Sequence, residues 1–453
     1  MKDFKKRAFL VYFFLFILIL SEIIPLSGDE AYYFDCSKNL DWSYFDQPPL
    51  VIWLTGIFTS IFKSNLTVRL PSVFFTLLTL ILLYKWKKEE GENLFLIFST
   101  APLIFFGSFY LSTDRALSFF YLWATYLIIK IDEENSNFLW FLLGLAFGLG
   151  FLSKFPMVLI LPLIFYISYK RANLFQFFLF SIISFITVLP ILIYGFQNDW
   201  ANFTFQLALR HKESSNFFKM FTNLWLPNLI LMGPIFFIRG LYLSFKNFKK
   251  NLILFISGLI PLIFFTLSGF KNPGAPHWLS LGFLPLALLQ IENWKGKILK
   301  ISLFLNIFII ICFLFVIFLP QFFFELNPKT LQSFVNFKEL SKKILEERVE
   351  GEVLISKSYT LVALLNYHLK ERVYLFNVDR GIHGLSYLYW QKKEKFKERN
   401  YLLVSNKKLS PKSLIPYFEE VNFKKFLIRK GKISKEFYLY HCKNIKDGSP
   451  FYP

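Results

Sequence analysis

Apolar residues arrive in this chain as long uninterrupted blocks, as in AFLVYFFLFILIL (Ala8–Leu20) and ISLFLNIFIIICFLFVIFL (Ile301–Leu319). Runs of about 20 such residues match the hydrocarbon core of a bilayer. Eleven blocks read as membrane spans: 8–26, 67–84, 93–110, 116–130, 138–151, 155–169, 174–194, 226–245, 252–269, 278–291 and 300–320. Composition agrees, because 55% of the 453 residues are hydrophobic and 21% aromatic, more than soluble domains usually carry.

The formal net charge of +20 does not call for nucleic acid. Lys and Arg gather in the short segments between apolar blocks, which is what membrane topology demands. With the N-terminus cytoplasmic, the inner segments are MKDFKKR, KWKKEEGE, KIDEENSN, KRAN, KNFKKN and ENWKGKILK, and all but KIDEENSN are basic for their length. The first apolar run ends in SEIIPLSGDE without a small-residue cleavage pattern, so an uncleaved anchor is expected. The segment 48–62 is apolar, but it is short and opens on two prolines. A run of that length lies in the interface more readily than it spans, so it is placed within a first outer loop, 27–66.

Beyond residue 320 the character changes. Dense Lys and Glu surround short apolar runs, EVLIS, RVYLFNV, NYLLVSN, KKFLIRK and EFYLYHC, which read as strands, with KELSKKILEERV and LVALLNYHL as helices between them. The expected architecture is therefore a polytopic α-helical membrane domain, 1–320, followed by an α/β domain, 321–453. An odd span count places that second domain outside the cytoplasm.

With this topology the unusual polar residues fall on one side of the membrane, where polar groups at membrane depth are costly and tend to be functional. Asp29 and Glu30 follow directly on the first span. Adjacent carboxylates in a partly apolar setting can hold one member poised as a base, although an ordinary solvated span end reads the same way. Lys154 closes a span with no acid near it in sequence, and a snorkelling side chain would look alike. Arg210 and His211 lie in the outer loop 195–225, and Lys271 and His277 in a later one. The five His show no zinc spacing, the three Cys are scattered, and no Gly-rich nucleotide loop is present.

The run D-E-A-Y-Y (Asp29–Tyr33) followed by S-Y-F-D-Q-P-P-L (Ser43–Leu50) resembles the first-loop signature of bacterial membrane transferases. These are proteins similar to dolichyl-phosphate-mannose protein mannosyltransferases and to lipid A aminoarabinose and galacturonic acid transferases, of the GT-C class. The resemblance extends in order through R-L-P-S (Arg69–Ser72), S-T-D-R-A-L (Ser112–Leu117), G-L-G-F-L-S-K (Gly148–Lys154), Q-N-D-W (Gln197–Trp200) and P-H-W (Pro276–Trp278). It implies sugar transfer from a polyprenyl-phosphate donor to a glycolipid or protein acceptor at the outer face of the inner membrane, among membrane lipids. It also implies that Asp29, beside Glu30, is the catalytic base, and that Asp114 supports the site or, in some members, binds a cation. Lys154 is implied to lie near the lipid phosphate. Tyr44, Gln47, Arg210, His211, Lys271 and His277 are further candidates for substrate contact. At Gln47 these families often carry His or Lys, so the charge expected there is missing. No cofactor is required by this reading, and a divalent cation at Asp114 is compatible with it. The rival classes are a transporter or flippase of lipid-linked sugars and a scaffold without activity. Paired repeats and matching broken spans, the usual marks of transporters, are not found in the sequence.

Overall fold

The computed structural model describes residues 2–86, 91–208, 215–271, 274–319, 336–369, 371–379, 381–392, 394, 396, 400–430 and 433–452. The chain divides into two compact units, Met1–Ile23 with Gln47–Leu314, and Ile24–Asp46 with Phe315–Pro453. This differs from the expected division, in which the whole of 27–66 was an outer loop of the membrane domain. The segment 24–46 joins the second unit because its side chains find their partners there, as described below.

The first unit is helical. Every one of the eleven apolar blocks carries a helix, but several are shorter or broken. Asn65–Trp86, Leu174–Gln197 and Gly296–Phe318 are each long and apolar enough to cross a membrane. Leu174–Gln197 turns Phe175, Phe178, Ile182, Phe185 and Ile186 outward, the surface expected where lipid rather than water is the neighbour. Proline sets the breaks. The block 93–110 becomes Gly91–Thr100 and Pro102–Gly107, because Pro102 supplies no amide to continue the ladder. The block 226–245 bends by 105° between Phe217–Leu231 and Pro234–Lys246, where Gly233 takes φ +85°, a conformation glycine adopts without penalty. The segment 48–62 forms the helix Leu50–Thr59.

Capping fixes the ends that matter for chemistry. Ser112 opens Thr113–Glu133 by accepting from the Asp114 amide at 2.9 Å, and Ser136 opens Asn137–Ser153. The latter helix packs closely on Leu174–Gln197. A Cβ at Gly148 would lie 2.5 Å from the Thr187 Cβ, so the small side chain is what permits the approach.

The second unit is built on a five-stranded sheet: β1 (Val353–Ser356), β2 (Tyr374–Leu375), β3 (Tyr401–Ser405), β4 (Phe418–Lys430) and β5 (Ile433–Ile445), in the order β2-β1-β3-β5-β4. Each expected apolar run carries one strand. β1 pairs in parallel with β2 and β3, whereas β5 is antiparallel to both β3 and β4. The core beneath is aromatic, with Phe376, Phe396, Tyr401, Phe418, Tyr440 and Phe451 all buried. The helices Phe337–Glu347 and Tyr359–His368 fall on the two helical sequence patterns.

The helix Gly28–Lys38 packs on Tyr359–His368 within this unit. Phe34 meets Tyr367 edge-on at 5.1 Å, Asn366 donates to Asp35 at 2.6 Å, and a Cβ at Gly28 would lie 2.5 Å from the Thr360 Cβ. Asp46, at the end of the segment, accepts from the Tyr32 hydroxyl at 2.9 Å and from the Gly384 amide at 3.0 Å. Burial raises the Asp46 pKa above the usual carboxylate value.

Candidate active site

The first unit gathers three of the expected residues. Asp114 stands in the first turn of Thr113–Glu133, Lys154 is the residue that ends Asn137–Ser153, and His277 lies in the short turn Pro276–Leu279. The Lys154 ammonium donates to Asp114 Oδ1 at 2.6 Å and Oδ2 at 2.7 Å. His277 Nε2 is 3.5 Å from Asp114 Oδ2, and the Ser112 hydroxyl donates to the same oxygen at 3.1 Å. Side-chain exposures of 12% for Lys154 and 24% for Asp114 exclude a free snorkelling lysine. This is a semi-buried ion pair, where charge interactions count for more than at a solvated surface. Asp114 and His277 supply two potential metal ligands, with the ammonium already on both carboxylate oxygens. No group of three His, Cys, Asp or Glu suited to a metal occurs among the described residues.

Asp29 belongs to the second unit. The turn Ser27–Glu30 is a capping box: the Glu30 amide donates to Ser27 Oγ at 3.2 Å and the Ser27 amide to Glu30 Oε2 at 2.9 Å. Glu30 is fully buried, and its carboxylate serves the start of the helix. Asp29 points elsewhere. Its Oδ1 accepts from the Tyr359 hydroxyl at 2.8 Å, and it lines a cavity of about 250 Å³ together with Tyr359, Thr360, Asn406 and Lys435. Of the two adjacent carboxylates, one is structural and one faces open space.

The remaining candidates separate. Tyr44 is buried, its hydroxyl donating to the Cys36 carbonyl at 3.2 Å and its ring edge-on to Trp390 at 6.2 Å. It packs the second unit rather than facing a cavity. Gln47 is half-buried and Lys271 is exposed in a turn. Arg210 and His211 lie outside the described residues. Tyr359, Asn406 and Lys435 were not foreseen. They follow or lie on strands far from position 29, and no local pattern marks them.

Residues 46–194 match the family described as dolichyl-phosphate-mannose-protein mannosyltransferase. The chain is 27% identical over 359 residues to the undecaprenyl phosphate-alpha-4-amino-4-deoxy-L-arabinose arabinosyl transferase of Photorhabdus laumondii, a match that covers 67% of this chain and 64% of that protein. It thus spans less than two thirds of that relative's length. It is 23% identical over 379 residues to the lipid A galacturonosyltransferase RgtD of Rhizobium johnstonii, covering 76% and 78% respectively. Among solved structures, ArnT from Cupriavidus metallidurans bound to undecaprenyl phosphate aligns with 96% of this chain and 98% of its own, with a TM-score of 0.66 and 11% identity. At that identity the likeness establishes the fold. The protein is a polytopic helical membrane protein that resembles the dolichyl-phosphate-mannose-protein mannosyltransferase family and the lipid A sugar transferases of the GT-C class.

Proposed function

We propose that the protein is an inverting membrane glycosyltransferase. It moves a sugar from a polyprenyl-phosphate donor to a hydroxyl or phosphate of a lipopolysaccharide-type glycolipid, at the outer side of the inner membrane. The observation that carries this reading is the Asp29 carboxylate, held by one hydroxyl donor and open to a cavity, in a chain whose relatives are named as undecaprenyl-phosphate and lipid A sugar transferases. The basic inner segments support a cytoplasmic N-terminus and an outer position for the second unit.

In the reaction, Asp29 takes the proton of the acceptor hydroxyl as its oxygen attacks C1 of the donor sugar. The bond from C1 to the phosphate oxygen breaks with inversion, and the electron pair leaves on polyprenyl phosphate. A fixed cation in a water-poor setting stabilises that growing charge. Within the first unit, Lys154 is a fixed cation of this kind, its ammonium held by Asp114 with His277 beside the same carboxylate.

Purified protein reconstituted with radiolabelled polyprenyl-phosphate sugar and a glycolipid acceptor tests the reading. Label in the glycolipid is the expected result. Label that changes leaflet without leaving its polyprenyl carrier identifies a transporter instead, and label on protein moves the acceptor class.

A further inference from the structure

The cavity that holds Asp29 occupies a distinctive point in the sheet. The chain leaves β1, runs through Tyr359–His368 to β2 on one side, and returns as β3 on the other side of β1. Strand order therefore reverses between β1 and β3. Open sheets with parallel strands bind ligands in the crevice outside the carboxyl ends of their strands at such a point. Tyr359 and Thr360 follow the end of β1, Asn406 follows the end of β3, and all three line the cavity.

The far wall carries a cation. Lys435 and Phe437 project from the same face of β5 into the cavity, the ammonium 5.5 Å from the Phe437 ring centroid. No described carboxylate pairs with Lys435, and burial alone pulls its pKa down to about 8. A partly desolvated charge without a counter-charge gains most from an incoming anion. The first turn of Tyr359–His368, which lines the same space, adds the partial positive charge of a helix start. Phe337 and Leu364 make the remaining wall apolar. A volume of about 250 Å³ is below the roughly 300–1,000 Å³ of drug-sized sites, so it suits a single sugar ring and not an entire glycolipid.

We infer that this cavity is the acceptor subsite and takes a phosphorylated saccharide headgroup, with the phosphate on Lys435 and Asn406 and a hydroxyl on Asp29. The inference rests on the transferase reading, because it uses Asp29 as the acceptor's base. The phosphate can come from a glycolipid or from a soluble sugar phosphate.

The test uses the full-length protein in nanodiscs. Transfer is assayed from labelled polyprenyl-phosphate sugar to a phosphorylated glycolipid, with glucose 6-phosphate, glucose and inorganic phosphate as soluble competitors. Binding of glucose 6-phosphate is measured separately by calorimetry. Glucose 6-phosphate is expected to bind and to compete with the glycolipid, and each of its two halves alone to compete at least tenfold more weakly. Lys435→Met should raise the acceptor KM at least tenfold and weaken glucose 6-phosphate equally, while Lys435→Arg restores both, which a merely structural lysine would not do. Competition by glucose 6-phosphate that is the same in wild type and Lys435→Met overturns the subsite while transfer stands. Binding that depends on Lys435 in a protein that transfers no label upholds phosphosugar recognition by the cavity and overturns the transferase reading, and with it the acceptor role. Glycolipid turnover that depends on Lys435 without competition by glucose 6-phosphate overturns the soluble source and leaves the glycolipid as the ligand.

Discussion

The Lys154 ammonium sits on both carboxylate oxygens of Asp114, at 2.6 and 2.7 Å, across 40 positions of sequence. The two residues end and begin different helices, Asn137–Ser153 and Thr113–Glu133, so the pair ties those helices at one level. Removing one partner leaves the other charge partly buried without its counter-charge. Lys154→Met and Asp114→Asn should each lower the thermal midpoint in detergent. The double variant should lose less than the sum, with a coupling of about 1–3 kcal/mol. Additive losses would mean that the pair is not formed in solution.

Tyr359 is expected to position the base. Its hydroxyl donates a hydrogen bond to Asp29, and a hydrogen bond to a charged group is worth about 1.5–3 kcal/mol. Tyr359→Phe should lower kcat roughly 10–100-fold while the donor KM changes little. Steady-state kinetics of label transfer measure both constants, and an unchanged kcat separates Tyr359 from the reaction.

Glu30 and Asp29 should behave as opposites despite being neighbours. Glu30→Ala removes one half of the capping box, at a cost of about 1 kcal/mol, and should lower the thermal midpoint while activity per folded molecule persists. Loss of turnover in a Glu30→Ala protein of normal stability would instead place Glu30 in the chemistry.

Lys435 yields a prediction with pH. Its proton is held less tightly in the folded chain, near pH 8, than in the unfolded chain, near 10.4. Between those values the unfolded chain binds more protons, so stability rises with pH across that window. Below pH 8 both states are protonated and the cost of burying the charge is present in full. Labelling with an amine-reactive reagent, read by peptide mass spectrometry, should show Lys435 reacting with a midpoint near pH 8, well below exposed lysines such as Lys443. In Lys435→Met the rise of the thermal midpoint between pH 8 and 10 should shrink.

Much of this architecture was legible because it rests on periodicity. Apolar blocks mark where the helices of the first unit run, and the five short apolar runs beyond residue 350 mark the strands, since both patterns follow from burial of one environment per element. The capping box of Ser27 and Glu30 went unread in the sequence, because Glu30 beside Asp29 looked like one of a pair of catalytic acids. What was not legible depends on distance along the chain. Asp29 and Tyr359 are 330 positions apart, and neither residue's neighbours announce the other. The helix Gly28–Lys38 looks like loop sequence because its contacts are polar and aromatic and lie on Tyr359–His368, not along an apolar stripe. Lys154 looked isolated for the same reason: its acid lies on another helix.

Label transfer from polyprenyl-phosphate sugar to glycolipid by purified Asp29→Asn protein of wild-type stability measures what the carboxylate at the cavity contributes. Loss of a general base should slow transfer about 10²–10⁴-fold. Turnover within a few-fold of wild type would show that the carboxylate at the cavity does not take the acceptor's proton, and would contradict the account.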